Sequence, residues 1–383
     1  MRSTKSSAKA RAGTRLRAIR VDKLKYPKRA PLALLLCSCL LVCAVLLRAQ
    51  APTATAGPLL PGPKPPDAPS AWKQLVGIYE YSSYKPPKST DIILERNQRL
   101  YIRYPSGKEE EIHYDGQDLG IPEPGGREWL YTRVEEPGQP LIFAYLNEGF
   151  TRIDAGADAT RFFHVSPAKP IDQLRAAALA AKPPLEPGPF RKPDFVELMT
   201  LDPAIRLDIR YAQSNNFLST PVYSQARAFL QRPAAEALLR VLRKLQPLGY
   251  GLLIHDAYRP WYVTKIFWDA TSPKDHIFVA DPKKGSRHNR GCAVDLTLYD
   301  LATGQAVEMP GFYDEMSPRS FPNFPGGTSL QRWYRDLLRR AMESEGFTVN
   351  EDEWWHFDYR DWKHYAILNV PFENLNANPP RAE

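Results

Sequence analysis

Two proline-rich stretches, at 49–70 and 181–194, divide this 383-residue chain and limit where folded units can form. Proline lacks a backbone N–H and disfavours the helical conformation of the residue before it, so such stretches form neither helices nor central strands. A chain of this length also exceeds the usual size of one hydrophobic core. We therefore predict an extended spacer at 49–70 that does not pack, a folded unit at 71–165, a helix and proline-rich linker at 166–193, a second folded unit at 194–371 and a tail at 372–383.

A basic segment and an apolar run precede the spacer. Residues 1–29 hold eleven Lys and Arg and one acidic residue, Asp22, and the sixteen residues from Leu32 to Leu47 carry no charge. That run is shorter than a spanning helix of about 20 residues and longer than a signal-peptide core of about 7–15. We predict a membrane anchor at 30–48 with the basic tail in the cytoplasm, and a cleaved signal peptide is the alternative. Both export the remainder of the chain across that membrane.

Charge and cysteine content argue against a nucleic-acid-binding protein and against a fold that is held by disulfides. The 51 Lys and Arg exceed the 43 Asp and Glu by eight, but the excess lies in the N-terminal tail and the rest is nearly neutral. A folded basic surface for nucleic acid is therefore not expected. Three of the four cysteines lie in the apolar run, so Cys292 has no partner for an intrachain disulfide, and the fold depends on its hydrophobic core.

The two folded units have different patterns. Residues 71–165 contain short runs with alternating apolar residues, separated by turn signals such as Ser106-Gly107 and Gly125-Gly126, which predicts six to eight strands of a small antiparallel β-rich domain. Residues 194–371 mix helical and strand periodicity and predict an α+β domain. The predicted helices are 171–181, 232–246, 261–269 and 330–345, and the predicted strands are 252–255, 293–298 and 354–359.

The first chemical cluster is the segment from Ser286 to Asp295. Alternation along the predicted strand 293–298 puts the aliphatic residues on one face and Asp295 on the other. His288 lies on the preceding loop, and Gly291 permits a tight return that brings the imidazole toward Asp295. Imidazole nitrogen and carboxylate oxygen suit a borderline cation such as zinc. Taken alone, this pair is also compatible with an ordinary histidine in a loop and an aspartate at a strand edge, neither of which binds a metal.

Two further clusters supply the other groups that a metallopeptidase needs. Glu353-Trp354-Trp355-His356 offers a third ligand, His356, and an acid three residues earlier that can take a proton from water. This spacing predicts a turn or irregular strand end, because a regular strand would put Glu353 and His356 on opposite faces. Arg259, in Tyr258-Arg259-Pro260, can stabilise the oxyanion that forms during attack on a carbonyl. The non-catalytic alternatives are an aromatic corner of the core for the segment 353–356 and a surface ion pair for Arg259.

Together the clusters resemble the D-alanyl-D-alanine dipeptidases of the VanX type. The S-x-H-x-x-G-x-A-x-D motif of that family is matched at 286–295, its Y-R-P element at 258–260 and its E-W-W-H motif at 353–356. The resemblance extends from about Leu201 to the end of the predicted domain. It implies a compact α+β zinc peptidase of the hedgehog and D,D-peptidase type that cleaves D-alanyl-D-alanine into two D-alanines.

The resemblance also implies roles for individual residues. One zinc ion is held by His288, Asp295 and His356, Glu353 is the catalytic base, and Arg259 stabilises the transition state. Ser286 and Asp314 are candidates for binding the ammonium group of the substrate. Cys292 departs from the usual small residue of the motif, and strand alternation places it in the core.

Three functional hypotheses follow from these observations. The first is hydrolysis of the dipeptide. The second is a related D,D-carboxypeptidase or peptidoglycan peptidase that acts on longer cell-wall peptides. The third is a cell-envelope binding protein in which the β-rich domain is the functional part. The sequence does not indicate an oligomeric state.

Overall fold

The structure is a computed structural model that describes residues 58–81, 90–122, 128–134, 141–145, 148–154 and 164–375. The predicted basic tail, the predicted membrane segment at 30–48 and the predicted turn at Gly125-Gly126 lie outside these residues. Within the described part of the chain, no helix combines the length and the apolar character needed to cross a bilayer.

The first folded unit is a closed antiparallel barrel of eight strands, in which β1 pairs with both β2 and β8. Its interior is filled by buried aliphatic and aromatic side chains, among them Tyr79, Phe143 and Phe150. The eight strands agree with the six to eight that the alternating apolar runs predicted. The strands are β1 Gly77–Tyr81, β2 Thr90–Arg96, β3 Arg99–Arg103, β4 Glu109–Tyr114, β5 Asp118–Pro122, β6 Glu128–Val134, β7 Ile142–Tyr145 and β8 Glu148–Arg152.

The spacer before the barrel does not behave as predicted. We expected residues 49–70 not to pack, but residues 58–70 lie against the second folded unit, and a short helix, α1 (Ser70–Leu75), follows them. Trp333 Nε1 donates to the Gly62 carbonyl at 3.0 Å, and Arg340 Nη1 donates to the carbonyls of Pro58 and Leu60 at 3.1 and 3.0 Å. The carbonyls of a proline-rich segment have no hydrogen-bond partners within the segment, so side-chain donors of a neighbouring folded unit can hold it.

The second folded unit is built on a five-stranded mixed sheet with the order β10-β12-β13-β15-β14. Only β10 runs parallel to its neighbour, β12, and the other pairs are antiparallel. The aliphatic face of the central strand β13 is fully buried, as the alternation of Val294, Leu296 and Leu298 predicted. The sheet strands are β10 Ile205–Leu207, β12 Tyr250–Asp256, β13 Ala293–Asp300, β14 Phe347–Asn350 and β15 Glu353–Tyr359, and a separate pair is formed by β9 Phe195–Glu197 and β11 Phe229–Gln231.

Four helices complete this unit: α2 Ile171–Ala180, α3 Arg232–Leu245, α4 Trp261–Ala270 and α5 Ser329–Glu343. Helix α3 buries Leu238, Val241, Leu242 and Leu245, which recur at helical spacing on one face. Helix α5 starts with a capping box between Thr328 and Gln331 that satisfies the first free amides.

The edges of the second unit also differ from the predicted boundaries. Helix α2, placed in the predicted linker at 166–193, packs through Leu174 and Ala178 into the core of this unit. At the other end Phe372, placed in the predicted tail, is fully buried in the same core. The fold therefore begins before and ends after the predicted range of 194–371.

The barrel lies directly against the second unit. The Glu95 amide donates to the Gly327 carbonyl at 3.2 Å, and the Ser329 amide donates to Glu95 Oε2 at 2.7 Å. Ile78 and Ile153 of the barrel form a small apolar cluster with Phe324. The start of helix α5 is thus held by the barrel.

Candidate metal centre and active site

The sheet brings together three residues that the sequence predicts as ligands. Strands β13 and β15 pair so that Asp295 lies opposite His356. His288 begins a 3-10 turn, His288–Arg290, that ends at Gly291 with a φ of +67°. A Cβ atom at Gly291 would lie 2.5 Å from the ring of Phe195, so both the backbone conformation and the available space favour glycine there. The short turn returns the chain into β13 and leaves His288 above it.

The side chains of these residues converge on one point. Asp295 Oδ1 lies 3.0 Å from His356 Nδ1 and 3.3 Å from His288 Nε2, and the two nitrogens lie 3.0 Å apart. Three ligands about 2.0–2.1 Å from a tetrahedral zinc ion would be about 3.3 Å from one another. The spacing of the three atoms therefore matches that of three ligands of a tetrahedral site, with the fourth position left for water.

Outer hydrogen bonds orient both imidazoles toward this point. His288 Nδ1 lies 2.7 Å from the Ala257 carbonyl, which can only accept, so Nδ1 carries the proton and Nε2 presents a lone pair. His356 Nε2 lies 2.9 Å from Asp358 Oδ1, which leaves Nδ1 as the lone-pair atom. Two facing lone pairs at 3.0 Å repel each other unless a cation or a proton lies between them.

The environment of Asp295 also fits a cation. Its Oδ2 accepts a hydrogen bond from the Tyr313 hydroxyl at 3.1 Å, but its buried Oδ1 accepts none from the described residues. Burial raises the pKa of Asp295, and the opposing effect of His288 and His356 is larger, so the pKa is lowered overall. A buried carboxylate with one oxygen anchored and one unpartnered is suited to binding a metal.

Glu353 lies next to this point but outside the trio. Its Oε2 is 3.7 Å from His356 Nδ1 and accepts a hydrogen bond from Asn350 Nδ2 at 3.0 Å. The pairing of β14 with β15 shifts register between Val349 and Asn350, as the motif spacing predicted for an irregular strand end. Burial raises the pKa of Glu353, and nearby Asp295 raises it further while His356 lowers it; the net pKa is raised. This carboxylate is therefore a stronger base than an exposed glutamate.

Arg259 is buried beside the trio and is held by Asp256. Its Nε and Nη2 donate to Asp256 Oδ2 at 2.9 and 2.7 Å, and Nη2 lies 3.9 Å from Asp295 Oδ2. The guanidinium also lies over the rings of Tyr211 and Phe267, at 5.2 and 4.8 Å from their centroids. A cation fixed in this way is pre-organised to donate to a charge that develops in the cavity.

The two candidates for substrate binding lie in the same cavity as the trio. Ser286 Oγ accepts from the His288 amide at 3.2 Å. Asp314 has a φ of +59°; its Oδ1 accepts from the Tyr211 hydroxyl at 3.1 Å, and its buried Oδ2 has no hydrogen-bond donor among the described residues. Burial and the nearby carboxylates of Asp295 and Glu353 raise the pKa of Asp314 well above its usual range. A cationic group in the cavity would supply the missing donor.

Three residues that the sequence analysis did not single out support the site: Asp256, Tyr313 and Asp358. Alternation along β15 places Asp358 on the same face as His356, and this signal could have found it. No local pattern points to Tyr313, because it reaches Asp295 from a distant loop. Cys292 is fully buried in the hydrophobic core, as predicted, and burial raises the pKa of its thiol.

The cavity in front of the trio has a volume of about 250 Å³. It is lined by the polar groups described above and by apolar side chains, including Phe217, Phe278 and Met316. A cavity of this size, with a few convergent polar groups, is suited to a small polar molecule.

Comparisons with known proteins place the second folded unit in a family. The profile of the M15 peptidase family, described as D-ala-D-ala dipeptidase, matches residues 191–376. The D-alanyl-D-alanine dipeptidase of Escherichia coli (strain K12) is 34% identical over 179 residues, which cover 47% of this chain and 91% of that protein. The protein of the same name from Enterococcus faecalis (strain V583) is 35% identical over 196 residues, with coverage of 45% and 91%.

A third relative, the D-alanyl-D-alanine dipeptidase of Streptomyces coelicolor, is 33% identical over 190 residues, with coverage of 45% of this chain and 94% of that protein. Less than half of this chain thus accounts for nearly all of each relative. The family match includes all seven predicted site residues and excludes the barrel. With this similarity and a candidate His/Asp/His metal site in the matched region, the chain belongs to the D-alanyl-D-alanine dipeptidase family of peptidases.

Proposed function

We propose that this protein hydrolyses D-alanyl-D-alanine to two molecules of D-alanine with one zinc ion bound by His288, Asp295 and His356. The observation that carries the proposal is the convergence of three buried ligand atoms, 3.0–3.3 Å apart, with both imidazole lone pairs directed at the same point. Two nitrogens and one oxygen in tetrahedral spacing favour zinc over magnesium or calcium, which prefer oxygen ligands. When bound, zinc supplies a Lewis acid that polarises the scissile carbonyl and makes water more acidic.

Glu353 acts as the general base and then as the general acid. Its raised pKa and its position beside His356 support removal of a proton from the attacking water. The same carboxylic acid then delivers that proton to the leaving amine, which departs as D-alanine. Asn350 keeps the carboxylate in place throughout, since its amide donates to Oε2.

Arg259 stabilises the negative charge that develops on the carbonyl oxygen. The guanidinium stays charged at any physiological pH and has donors left over after it binds Asp256. Because it is buried and already oriented, no reorganisation is needed when the charge appears.

Asp314 binds the free ammonium group of the dipeptide, and Ser286 contributes a hydroxyl to the same end of the cavity. The buried, unpartnered Oδ2 of Asp314 supports this role, because an ammonium ion would satisfy it. The same feature favours a substrate with a free amino terminus over longer cell-wall peptides, in which that nitrogen is acylated and uncharged.

The test is a hydrolysis assay with purified full-length protein and one equivalent of zinc. We expect release of D-alanine from D-alanyl-D-alanine, loss of this activity with a chelator and its return with zinc. A pentapeptide that ends in D-alanyl-D-alanine is assayed in parallel, and faster cleavage of the pentapeptide would identify a D,D-carboxypeptidase instead. Absence of hydrolysis of any D-alanine-containing peptide would refute the enzymatic proposal and favour an envelope-binding protein.

We also propose that the enzyme acts in the bacterial cell envelope, on the periplasmic side of the inner membrane. The support is the basic segment at 1–29 followed by the apolar run from Leu32 to Leu47. A reporter enzyme that is active only after export, fused after residue 70, should be active in cells. A reporter of this kind that remains inactive would refute the proposed location.

A further inference from the structure

The loop that carries Asp314 lies between two cavities. We call residues 310–316 the Asp314 loop. On one side is the active-site cavity, and on the other is a cavity of about 460 Å³ that lies between the barrel and the sheet and is lined by Pro310, Phe312 and Tyr313 of the loop. Packing holds one residue of the loop, because the Tyr313 ring lies among the buried residues of the hydrophobic core. Polar contacts of buried side chains hold the residues that follow it.

Those polar contacts centre on Glu315. Its Oε2 accepts a hydrogen bond from the Phe312 amide at 2.9 Å, and its Oε1 accepts from the Ser317 hydroxyl at 2.6 Å. Arg319 donates to both carboxylate oxygens, from Nε and Nη2, each at 2.7 Å. Glu315 thus closes the Asp314 loop on itself and ties it to Arg319 by a bidentate ion pair.

The third guanidinium nitrogen of Arg319 contacts the barrel, outside the second folded unit. Nη1 donates to Asp154 Oδ2 of the barrel at 3.0 Å, and Asp154 Oδ1 accepts from Arg152 Nε at 2.9 Å. The side chains of Asp154 and Glu315 are 0% and 3% exposed, and that of Arg319 is 10% exposed. Removal of one partner from a buried ion pair is costly, because the other charge is left uncompensated.

The Asp314 loop carries two side chains of the proposed active site. Asp314 is directed into the cavity, and the Tyr313 hydroxyl donates to Asp295 Oδ2. The Tyr313 ring also stacks on His255 with centroids 4.6 Å apart. A shift of the loop would therefore move the proposed ammonium site and one anchor of a proposed metal ligand together.

We propose that the barrel positions the substrate site, because Asp154 holds the Asp314 loop in place through Arg319 and Glu315. Asp154 and Arg319 are positioning residues, since neither touches the substrate. The proposal rests on the proposed function in assigning the substrate ammonium to Asp314. Residues 310–319 lie inside the family match at 191–376, whereas Asp154 lies outside it, so the barrel adds a support that the matched region itself does not contain.

The experiment compares hydrogen exchange and steady-state kinetics of the full-length wild type and the Asp154→Asn variant. We expect amides at 310–317 to exchange about tenfold faster in the variant, because the buried network loses a charge, while the barrel and the rest of the peptidase unit keep their protection. The KM for D-alanyl-D-alanine should rise about tenfold with kcat changed much less, since ground-state binding of the ammonium is lost. General destabilisation would instead increase exchange throughout the domain.

Glu111→Gln is the matched control, because Glu111 is a barrel carboxylate in an exposed ion pair with Arg99. It should match the wild type in exchange and kinetics. Arg319→Lys is the second test variant; it leaves the barrel sequence intact and keeps the charge, but an ammonium cannot bridge both carboxylates as the guanidinium does. It carries the test if Asp154→Asn does not fold.

Unchanged exchange at 310–317 in the test variant would overturn the proposal, and so would faster exchange with unchanged KM. Faster exchange with a raised KM would support it. If the wild type does not hydrolyse the dipeptide, only the proposed function is refuted. The exchange comparison still decides whether Asp154 holds the loop.

Discussion

Replacement of Glu353 by glutamine tests the proposed division of roles most directly. Glutamine has almost the same shape, and its carbonyl oxygen can still accept the hydrogen bond that Asn350 now donates to Oε2. The side chain therefore keeps its place but can no longer take a proton from water. The ligand trio does not include residue 353, so metal binding should persist.

The expected loss can be estimated from the role of the group. A positioned general base contributes a factor of about 10² to 10⁴ in rate. This corresponds to about 2.7–5.4 kcal/mol in activation free energy. We expect the upper part of this range, because Glu353 is also proposed to deliver the proton to the leaving amine, so the variant loses both transfers.

The assay measures kcat for D-alanine release, together with zinc content by metal analysis of the dialysed protein. We expect one zinc per chain in both wild type and variant, with kcat reduced by about 10³- to 10⁴-fold in the variant. A variant that loses its zinc would show that Glu353 is itself a ligand. A variant that keeps zinc and loses less than about tenfold in kcat would show that another group is the base.

Two further predictions concern residues that support the site and the fold. Asp358→Asn should weaken zinc affinity about 10- to 100-fold in a chelator competition, because Asp358 orients His356. The control is Asp361→Asn, which removes a surface pair with Arg191 and should leave zinc affinity unchanged. Equal zinc affinities of the two variants would contradict the role of Asp358. Burial raises the pKa of Asp208, but His255 and Arg210 lower it more, to about 2, so its stabilising effect is present above about pH 4 and lost as the pH falls through 2. Asp208→Asn should therefore lower the free energy of unfolding by about 1–2 kcal/mol at pH 7 and by less than half of that at pH 2.5, measured by urea denaturation. An equal difference at both pH values would contradict this account.

Much of the local structure could be predicted from the sequence. Helices α3 and α4 start at the predicted residues, because apolar spacing and the prolines at their starts act over a few residues only. Alternation in β13 correctly separated Asp295 from the aliphatic residues that face the core. Gly291 was correctly placed at a tight return, since a positive φ is a local demand.

Non-local structure could not be predicted in the same way. The packing of residues 58–70 depends on donors from Trp333 and Arg340, far along the chain, so a proline-rich composition alone suggested a free spacer. The burial of Phe372 depends on contacts with Phe229 and Tyr258, at 6.1 and 6.2 Å between ring centroids, which no local pattern reveals. Domain edges were accordingly the least accurate part of the prediction.

The sequence by itself determined the residue types of the site, their order and the family, because the three motifs are short and their internal spacing is local. Only the tertiary structure decided which atoms meet. The pairing of β13 with β15 brings His356 to Asp295, the Ala257 carbonyl and Asp358 select the lone pairs that face the metal point, and Asp256 orients Arg259. The barrel contact between Asp154 and Arg319 has the same origin. Each of these contacts joins segments whose approach depends on the packing of the whole domain, and this packing is not encoded in any local pattern.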